Sequence, residues 1–297
     1  MKNNSSLESS ELSSVRRAFD KAADSYDEYA ILQRAVADEL LETLTLFTIK
    51  PQRIVDLGSG TGYCASDLTT QFPKAKLIQC DISENMLKVA RGKSRRWFNR
   101  HGYLCADISA LPLKDDSIDL IFSSLSFQWC SDLDRLFSEC RRVLQPDGLL
   151  IFSSLGPDTL KELRAVFATE DNDPHVHDFI DMHDVGDALI RAGFAAPVLQ
   201  TDHLTMTYNT MQDVMRDLRG IGAANKTQSR RRGLSTKAMF RQAERKYEAF
   251  RREGLLPATY EVVYAHAFSP TQKDPAQDGS LVSSFPLSQL SRRPPTS

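Results

Sequence analysis

The chain has 297 residues, of which 41% are apolar and 26% charged, with 14 glycines and 13 prolines. These proportions match soluble globular proteins and exclude a collagen-like, disulfide-stapled or wholly disordered chain; the length allows one large domain with insertions, or two smaller ones. Its 37 basic and 39 acidic side chains leave a net charge of −2, which taken alone argues against a polyanionic partner.

In chain order, residues 1–12 are polar and read as a disordered N-terminus, without the apolar stretch of a secretory signal. No apolar run reaches the roughly 18–20 residues of a membrane helix, so a cytoplasmic protein with no membrane contact is expected. Ile31 to Phe47 carries apolar residues at helical spacing and stops before Pro51. Arg53-Ile-Val-Asp-Leu57 is a short apolar run ending at glycines, as a buried parallel strand would. A helix through Leu68 and a strand over Lys76–Cys80 follow, then a helix over Ser83–Arg91 with Ser83 as its N-cap. Strands near Tyr103–Ala106, Ile118–Ser123 and Leu149–Ser153 come next, with a helix over Asp132–Leu144 and a turn at Gln145-Pro-Asp-Gly148 before the last. A helix near Asp184–Ala192 and strands near Val198–Met206 and Tyr260–Phe268 complete seven strands. The alternation predicts a doubly wound α/β sheet in one domain over 13–270, with a basic helical insertion at about 210–254 over the sheet edge. Residues 271–297, with four prolines and several serines, read as a disordered tail.

Cys64, Cys80, Cys105, Cys130 and Cys140 are odd in number and form no CxxC pair, as small buried thiols in a reducing compartment would be. His175, His177 and His183 stand among Pro174 and several acids, with no fourth ligand at a fitting spacing, so no metal is expected. The strongest local signal is Asp56-Leu-Gly-Ser-Gly-Thr-Gly62 at a strand-to-helix junction. Its glycines allow a sharp turn and close approach of a ligand to the backbone. It lacks the Gly-Lys-Ser/Thr ending of a P-loop, and its third glycine comes too early for the dinucleotide fingerprint. Asp56 before the first glycine would repel an anion and welcome an ammonium. Asp81, 23 residues beyond Gly58, stands where a carboxylate accepts the hydroxyls of a ribose, and Asp107 where one accepts from an adenine amino group.

Val55-Asp-Leu-Gly-Ser-Gly-Thr-Gly62, Cys80-Asp-Ile82 and Ala106-Asp-Ile108 resemble the cofactor motifs of class I S-adenosylmethionine-dependent methyltransferases. Ser83-Glu-Asn-Met-Leu87, Leu111-Pro-Leu113 and Arg142-Val-Leu-Gln-Pro-Asp-Gly148 are similar to that family's intervening signatures. The resemblance implies a seven-stranded Rossmann-like sheet with S-adenosylmethionine as co-substrate. It places Asp56 near the methionine ammonium, Gly58 and Gly60 under the cofactor, Asp81 on the ribose, and Asp107 with Ile108 at the adenine; Ser59, Ile82 and Ser124 are the further expected contacts.

A narrower resemblance lies outside these motifs. Ala18-Phe-Asp-Lys-Ala-Ala-Asp-Ser-Tyr26, Leu32-Gln-Arg34, Ser123-Ser-Leu-Ser-Phe-Gln-Trp-Cys130, Ser154-Leu-Gly-Pro-Asp-Thr-Leu-Lys-Glu-Leu-Arg164, Leu218-Arg-Gly-Ile-Gly-Ala-Ala-Asn225 and Pro257-Ala-Thr-Tyr-Glu-Val-Val-Tyr264 resemble the malonyl-acyl-carrier-protein O-methyltransferases of biotin synthesis. That resemblance implies methylation of the free carboxylate of a malonyl thioester on acyl carrier protein, or on coenzyme A. A carboxylate is already ionised near pH 7, so the chemistry calls for alignment rather than a general base. Tyr26, Phe127, Gln128 and Trp129 are candidate pocket walls, and an arginine of the insertion or after the fifth strand is the expected anchor of the substrate carboxylate. From Thr210 to Gly254 there are 12 basic and 5 acidic residues, a local charge of +7 that leaves −9 elsewhere. Lys226, Arg230, Arg231, Arg232, Lys237, Arg241 and Arg245 are the candidate contacts for an acidic carrier protein. A solvated helix face is the plainer reading of such a cluster, and nucleic acid is disfavoured because aromatic interleaving is missing. Two other functions stay open: another small-molecule methyltransferase on the same fold, and a protein hydroxylase like the respiratory complex I assembly factors.

Overall fold

Arg53-Ile-Val-Asp-Leu57 forms strand β1, and all but Arg53 are buried. Consecutive side chains of a strand point to opposite faces. Ile54 accordingly joins the core that holds helix α3 (Ile31–Leu44), and Val55 the core that holds α6 (Leu133–Val143). The computed structural model describes residues 4–94, 101–167, 177–223 and 237–271, and of 4–11 and 237–239 the backbone only.

On one side of β1 lie β2 (Lys76–Asp81) and β3 (His101–Cys105); on the other lie β4 (Ile118–Ser123), β5 (Leu144–Leu155), β7 (Leu256–Phe268) and β6 (Ala195–Tyr208). The order is β3-β2-β1-β4-β5-β7-β6, seven strands in an α/β sheet as expected. The first five are parallel, and β7 runs antiparallel to both β5 and β6. The chain builds β2 and β3 on one flank of β1 and returns as β4 on the other. The loops therefore part at the C-terminal ends of β1 and β4, the switch point where open α/β sheets take ligands.

Packing and caps hold this crevice in place. Phe137 and Phe152, both fully buried, lie with ring centroids 5.6 Å apart beneath it, each burial contributing about 1.5–3 kcal/mol. Ser83 Oγ accepts from the Met86 amide (3.2 Å) to start α5 (Glu84–Lys93), and Asp132 Oδ1 accepts from the Arg135 amide (2.9 Å) to start α6. Such caps are worth about 0.5–2 kcal/mol each.

Four expectations are revised. The stretch 1–12, expected to be disordered, is helical from Asn4 onward in α1 (Asn4–Ala22). No glycine or proline interrupts it, and a helix anchored by buried Ala18 and Ala22 propagates backward at little cost. The turn at Gln145–Gly148 lies within β5 as a bulge between the pairs Ile118–Leu144 and Leu120–Leu149, with Asp147 at φ 61°. A helix α7 (Lys161–Phe167) follows β5, too short to carry a periodic signal. The insertion holds α9 (Met211–Gly220) and α10 (Lys237–Tyr247). It does not simply cover the edge: Met211, Val214, Leu218, Ala243 and Tyr247 are buried in the same core as α3. The C-terminal end of α9 rests on α2 (Tyr26–Tyr29), where a Cβ on Gly220 would fall 2.3 Å from the Tyr29 ring. Residues 272–297, most of the expected tail, lie outside the described residues. Among the described residues no helix is long and apolar enough to cross a membrane.

Candidate active site

The loop after β1 is tied to β2 through the Cys80 carbonyl, which accepts from the amides of Gly58 (2.8 Å) and Ser59 (3.0 Å). Gly58 and Gly60 take φ of 70° and 53°, left-handed values that side chains rarely adopt. A Cβ on Gly58 would sit 2.1 Å from Ser126 Oγ, whereas one on Gly60 would meet nothing within 4 Å. Gly60 thus presents bare backbone to an open space. Its amide donates to Asp81 Oδ2 (2.9 Å), and Asp81 Oδ1 accepts from the Ser83 amide (2.8 Å). One carboxylate therefore joins the glycine loop to the first turn of α5.

The open space is a cavity of about 300 Å³. Tyr26, Gly58, Gly60, Asp81, Ile82, Asp107, Ile108, Ser124 and Trp129 all line it. Asp107 Oδ1 accepts from the amide and hydroxyl of Ser109, both at 2.8 Å, which fixes the loop after β3 at the cavity rim. A smaller compartment of about 60 Å³ lies beside it, lined by Asp56, Ser59, Gln33 and Arg34. Tyr26, Gly58, Gly60 and Ser124 belong to both walls.

Electrostatics distinguish the two spaces. Asp56 is buried, with Oδ2 left without a hydrogen-bond partner. Burial and then the Asp81 charge push its carboxyl up to about 7. Burial also raises Asp81, to about 6, against the pull of its backbone N–H donors. Burial, then Asp81 and Asp27, hold the Tyr26 phenol well above its ordinary range. Ser59 Oγ and Gln33 Oε1 are likewise buried and unpartnered. The small compartment thus offers acceptors for an ammonium and, in Arg34, a donor for a carboxylate. The larger one offers apolar walls with the carboxylates of Asp81, Asp107 and Asp132, suited to a purine and a ribose.

Two of the candidate walls stand elsewhere. Phe127 belongs to the core, with its ring 4.8 Å from Phe152 and 5.9 Å from Phe137. Gln128 donates its amide to the Leu125 carbonyl (2.7 Å) and lines neither cavity. Alternation on a 3-10 turn explains this: Phe127 and Trp129 of Phe127–Trp129 cannot both face the same way. Trp129 meets Phe19 edge-on at 5.6 Å and His177 at 5.9 Å.

Sequence reasoning missed Leu12, Val15 and Phe19 of α1, which cover the large cavity, and Arg135 of α6 at its rim. The spacing 12, 15, 19 is one helical face, the signal that could have found them. On α10, Arg241 and Arg245 are exposed one turn apart, opposite buried Ala243 and Tyr247. Lys226, Arg230, Arg231 and Arg232 lie outside the described residues, as does the side chain of Lys237.

Comparison with known proteins agrees with this geometry. A family profile described as a methyltransferase domain matches residues 55–152. Among solved structures, the YcgJ protein from Bacillus subtilis superposes with a TM-score of 0.57 at 16% identity, over 78% of this chain and 99% of that one. A protein from Bacillus halodurans gives a TM-score of 0.56 at 19% identity, over 79% of this chain and 100% of that one. These show the fold. The malonyl-[acyl-carrier protein] O-methyltransferase of Methylovorus sp. is 48% identical over 89% of this chain and 91% of its own length. Its counterpart from Laribacter hongkongensis is 47% identical over 88% and 90%. Identity at this level over nearly the whole chain, insertion included, places the protein in the malonyl-[acyl-carrier protein] O-methyltransferase family.

Proposed function

We propose that the chain transfers the methyl group of S-adenosylmethionine to the free carboxylate of a malonyl thioester on acyl carrier protein, giving the methyl ester that enters biotin synthesis. The observation that carries this reading is the pair of compartments meeting at Tyr26, Gly58, Gly60 and Ser124, in a chain 48% identical to an enzyme of that name. The unpartnered Asp56 Oδ2 takes the methionine ammonium, with Ser59 and Arg34 toward the methionine carboxylate. Asp81 takes the ribose hydroxyls, and Asp107 with Ile108 takes the adenine. Bound S-adenosylmethionine supplies a methyl carbon on a cationic sulfur, so an oxygen–carbon bond forms as the carbon–sulfur bond breaks and its electron pair stays on sulfur.

The protein's own contribution is alignment and exclusion of water. The malonyl carboxylate is ionised near neutral pH, and no proton has to be removed from it. Tyr26 and Phe19 close the cavity from the N-terminal side, and Trp129 from the β4 side. Acyl carrier protein is preferred over coenzyme A because it presents an acidic surface to the insertion, where Arg241 and Arg245 are exposed.

Labelled S-adenosylmethionine with malonyl-acyl carrier protein, acetyl-acyl carrier protein and malonyl-coenzyme A tests this. Label is expected on the malonyl carrier protein, more slowly on the coenzyme A thioester, and not on the acetyl form. Equal labelling of malonyl and acetyl forms, or none of either, refutes it.

A further inference from the structure

Two arginines line the cavities, half-buried Arg34 and exposed Arg135, and a third, half-buried Arg164, lies outside both linings. Arg34 lies in the small compartment and donates through Nη1 to the Asp27 carbonyl (2.5 Å). Arg135 lies at the adenine end and donates through Nε to the Ser109 carbonyl (3.1 Å). Cofactor binding accounts for the position of both. It leaves Arg164 unused.

Arg164 sits on α7, which β5 delivers through a held turn. Leu160 there is buried at φ 55°, and its amide donates to the Thr259 carbonyl (2.6 Å). A branched side chain in the left-handed region costs about 1–2 kcal/mol, so the surroundings hold this turn in one conformation. Arg164 Nη2 donates to the carbonyls of Thr159 (3.5 Å) and His177 (3.3 Å). Its Nε is buried without a partner, and no carboxylate pairs with it among the described residues. The link to the cavity runs through His177, whose carbonyl accepts from Arg164 and whose ring packs on Trp129 at 5.9 Å.

A buried N–H needs compensation, and two long carbonyl contacts on Nη2 leave the Nε position of the fork unanswered. The group that matches such an edge is a carboxylate, through two parallel hydrogen bonds. We propose that Arg164 receives the free carboxylate of the substrate's acyl group, with Trp129 and His177 as the wall beside it; this rests on the methyl-transfer reading above. It makes Arg164 a specificity residue, since an acyl chain ending in a methyl group leaves the fork unpaired.

The test is binding rather than turnover. Affinities of malonyl- and acetyl-acyl carrier protein are measured on the full chain saturated with S-adenosylhomocysteine, for the wild type, Arg164→Gln and Arg164→Lys. The wild type is expected to prefer the malonyl form by about 10–100-fold, the span of a charge-assisted pair. Arg164→Gln should bring the two within about twofold, with S-adenosylhomocysteine and acetyl-carrier affinities unchanged, and Arg164→Lys should keep only part of the preference. A wild-type preference persisting in Arg164→Gln overturns the assignment. If that variant fails to bind S-adenosylhomocysteine, the lysine variant decides, and a full preference there overturns it too. A wild type that binds both carriers equally counts against the methyl-transfer reading itself, which separates the two failures.

Discussion

Asp27, beside Tyr26 in α2, accepts a 2.6 Å hydrogen bond from the Thr61 hydroxyl of the glycine loop. The same carboxylate meets Lys93 Nζ of α5 at 2.5 Å, and burial notwithstanding, these partners hold it below the usual range. The N-terminal cover is thereby clasped to the loop beneath it. Asp27→Ala should weaken S-adenosylmethionine binding by about 5–10-fold, the worth of one or two such bonds, with the malonyl-carrier KM little changed. Lys93→Ala should do far less, because that ion pair is half exposed, at 44% and 45%. Isothermal titration of both variants checks this, and equal losses would refute the clasp.

Cofactor affinity should rise with pH. Asp56 and Asp81 stand at about 7 and about 6 in the ligand-free protein, above ordinary carboxylates. A cationic ligand favours their ionised forms, so binding releases protons below about pH 7 and the affinity levels off above it. Titrations in buffers of different ionisation enthalpy measure that release. A flat affinity between pH 5.5 and 8, on the order of the window these carboxylates set, speaks against it.

The same raised values act on folding with the opposite sense. A carboxyl whose folded pKa lies above its unfolded value of about 4 costs stability as pH climbs through that interval, and costs nothing below it. Asp56→Asn should therefore raise the melting temperature of the ligand-free protein at pH 8 and leave it unaltered near pH 4, while weakening cofactor binding. Thermal unfolding at the two pH values decides the matter.

Phe127 and Trp129 should separate stability from affinity. Phe127→Ala leaves a void between Phe137 and Phe152 and should cost about 3–5 kcal/mol of stability. Trp129→Ala removes a cavity wall and should raise KM for cofactor or substrate with a smaller loss of stability. Denaturant midpoints paired with kinetics on each variant give the comparison; a more stable Phe127→Ala would place that ring wrongly.

Reversing Arg241 and Arg245 to Glu should slow association with acyl carrier protein by about tenfold at low salt and flatten its salt dependence. S-adenosylmethionine affinity should not move. Stopped-flow association at several ionic strengths reads this directly, and an unaltered salt slope removes α10 from the docking surface.

Much of the sheet was legible because its central strands are short, largely apolar runs. Arg53–Leu57 and Ile118–Ser123 need no tertiary information to be seen. The cavity positions of Asp81 and Asp107 were legible too, since strand ends place them in space. What stayed hidden depends on contacts distant in sequence. Nothing local tells that polar residues before Leu12 continue a helix, or that Leu12, Val15 and Phe19 cover a cavity formed by residues far along the chain. Phe127 and Trp129 are alike in type and two positions apart, and only the local turn sends one inward and the other to the wall.

Gly220 offers α9 a surface with no side chain, and the Tyr29 ring occupies that gap. The two segments are nearly two hundred residues apart in the chain, yet neither fits without the other. Engineering has to respect this. Grafting residues 210–254 onto another methyltransferase would carry over charge but not seating, unless the helices that end at Ala22 and Tyr29 travel with it. The insertion and the N-terminal helices it rests on form one transplantable unit.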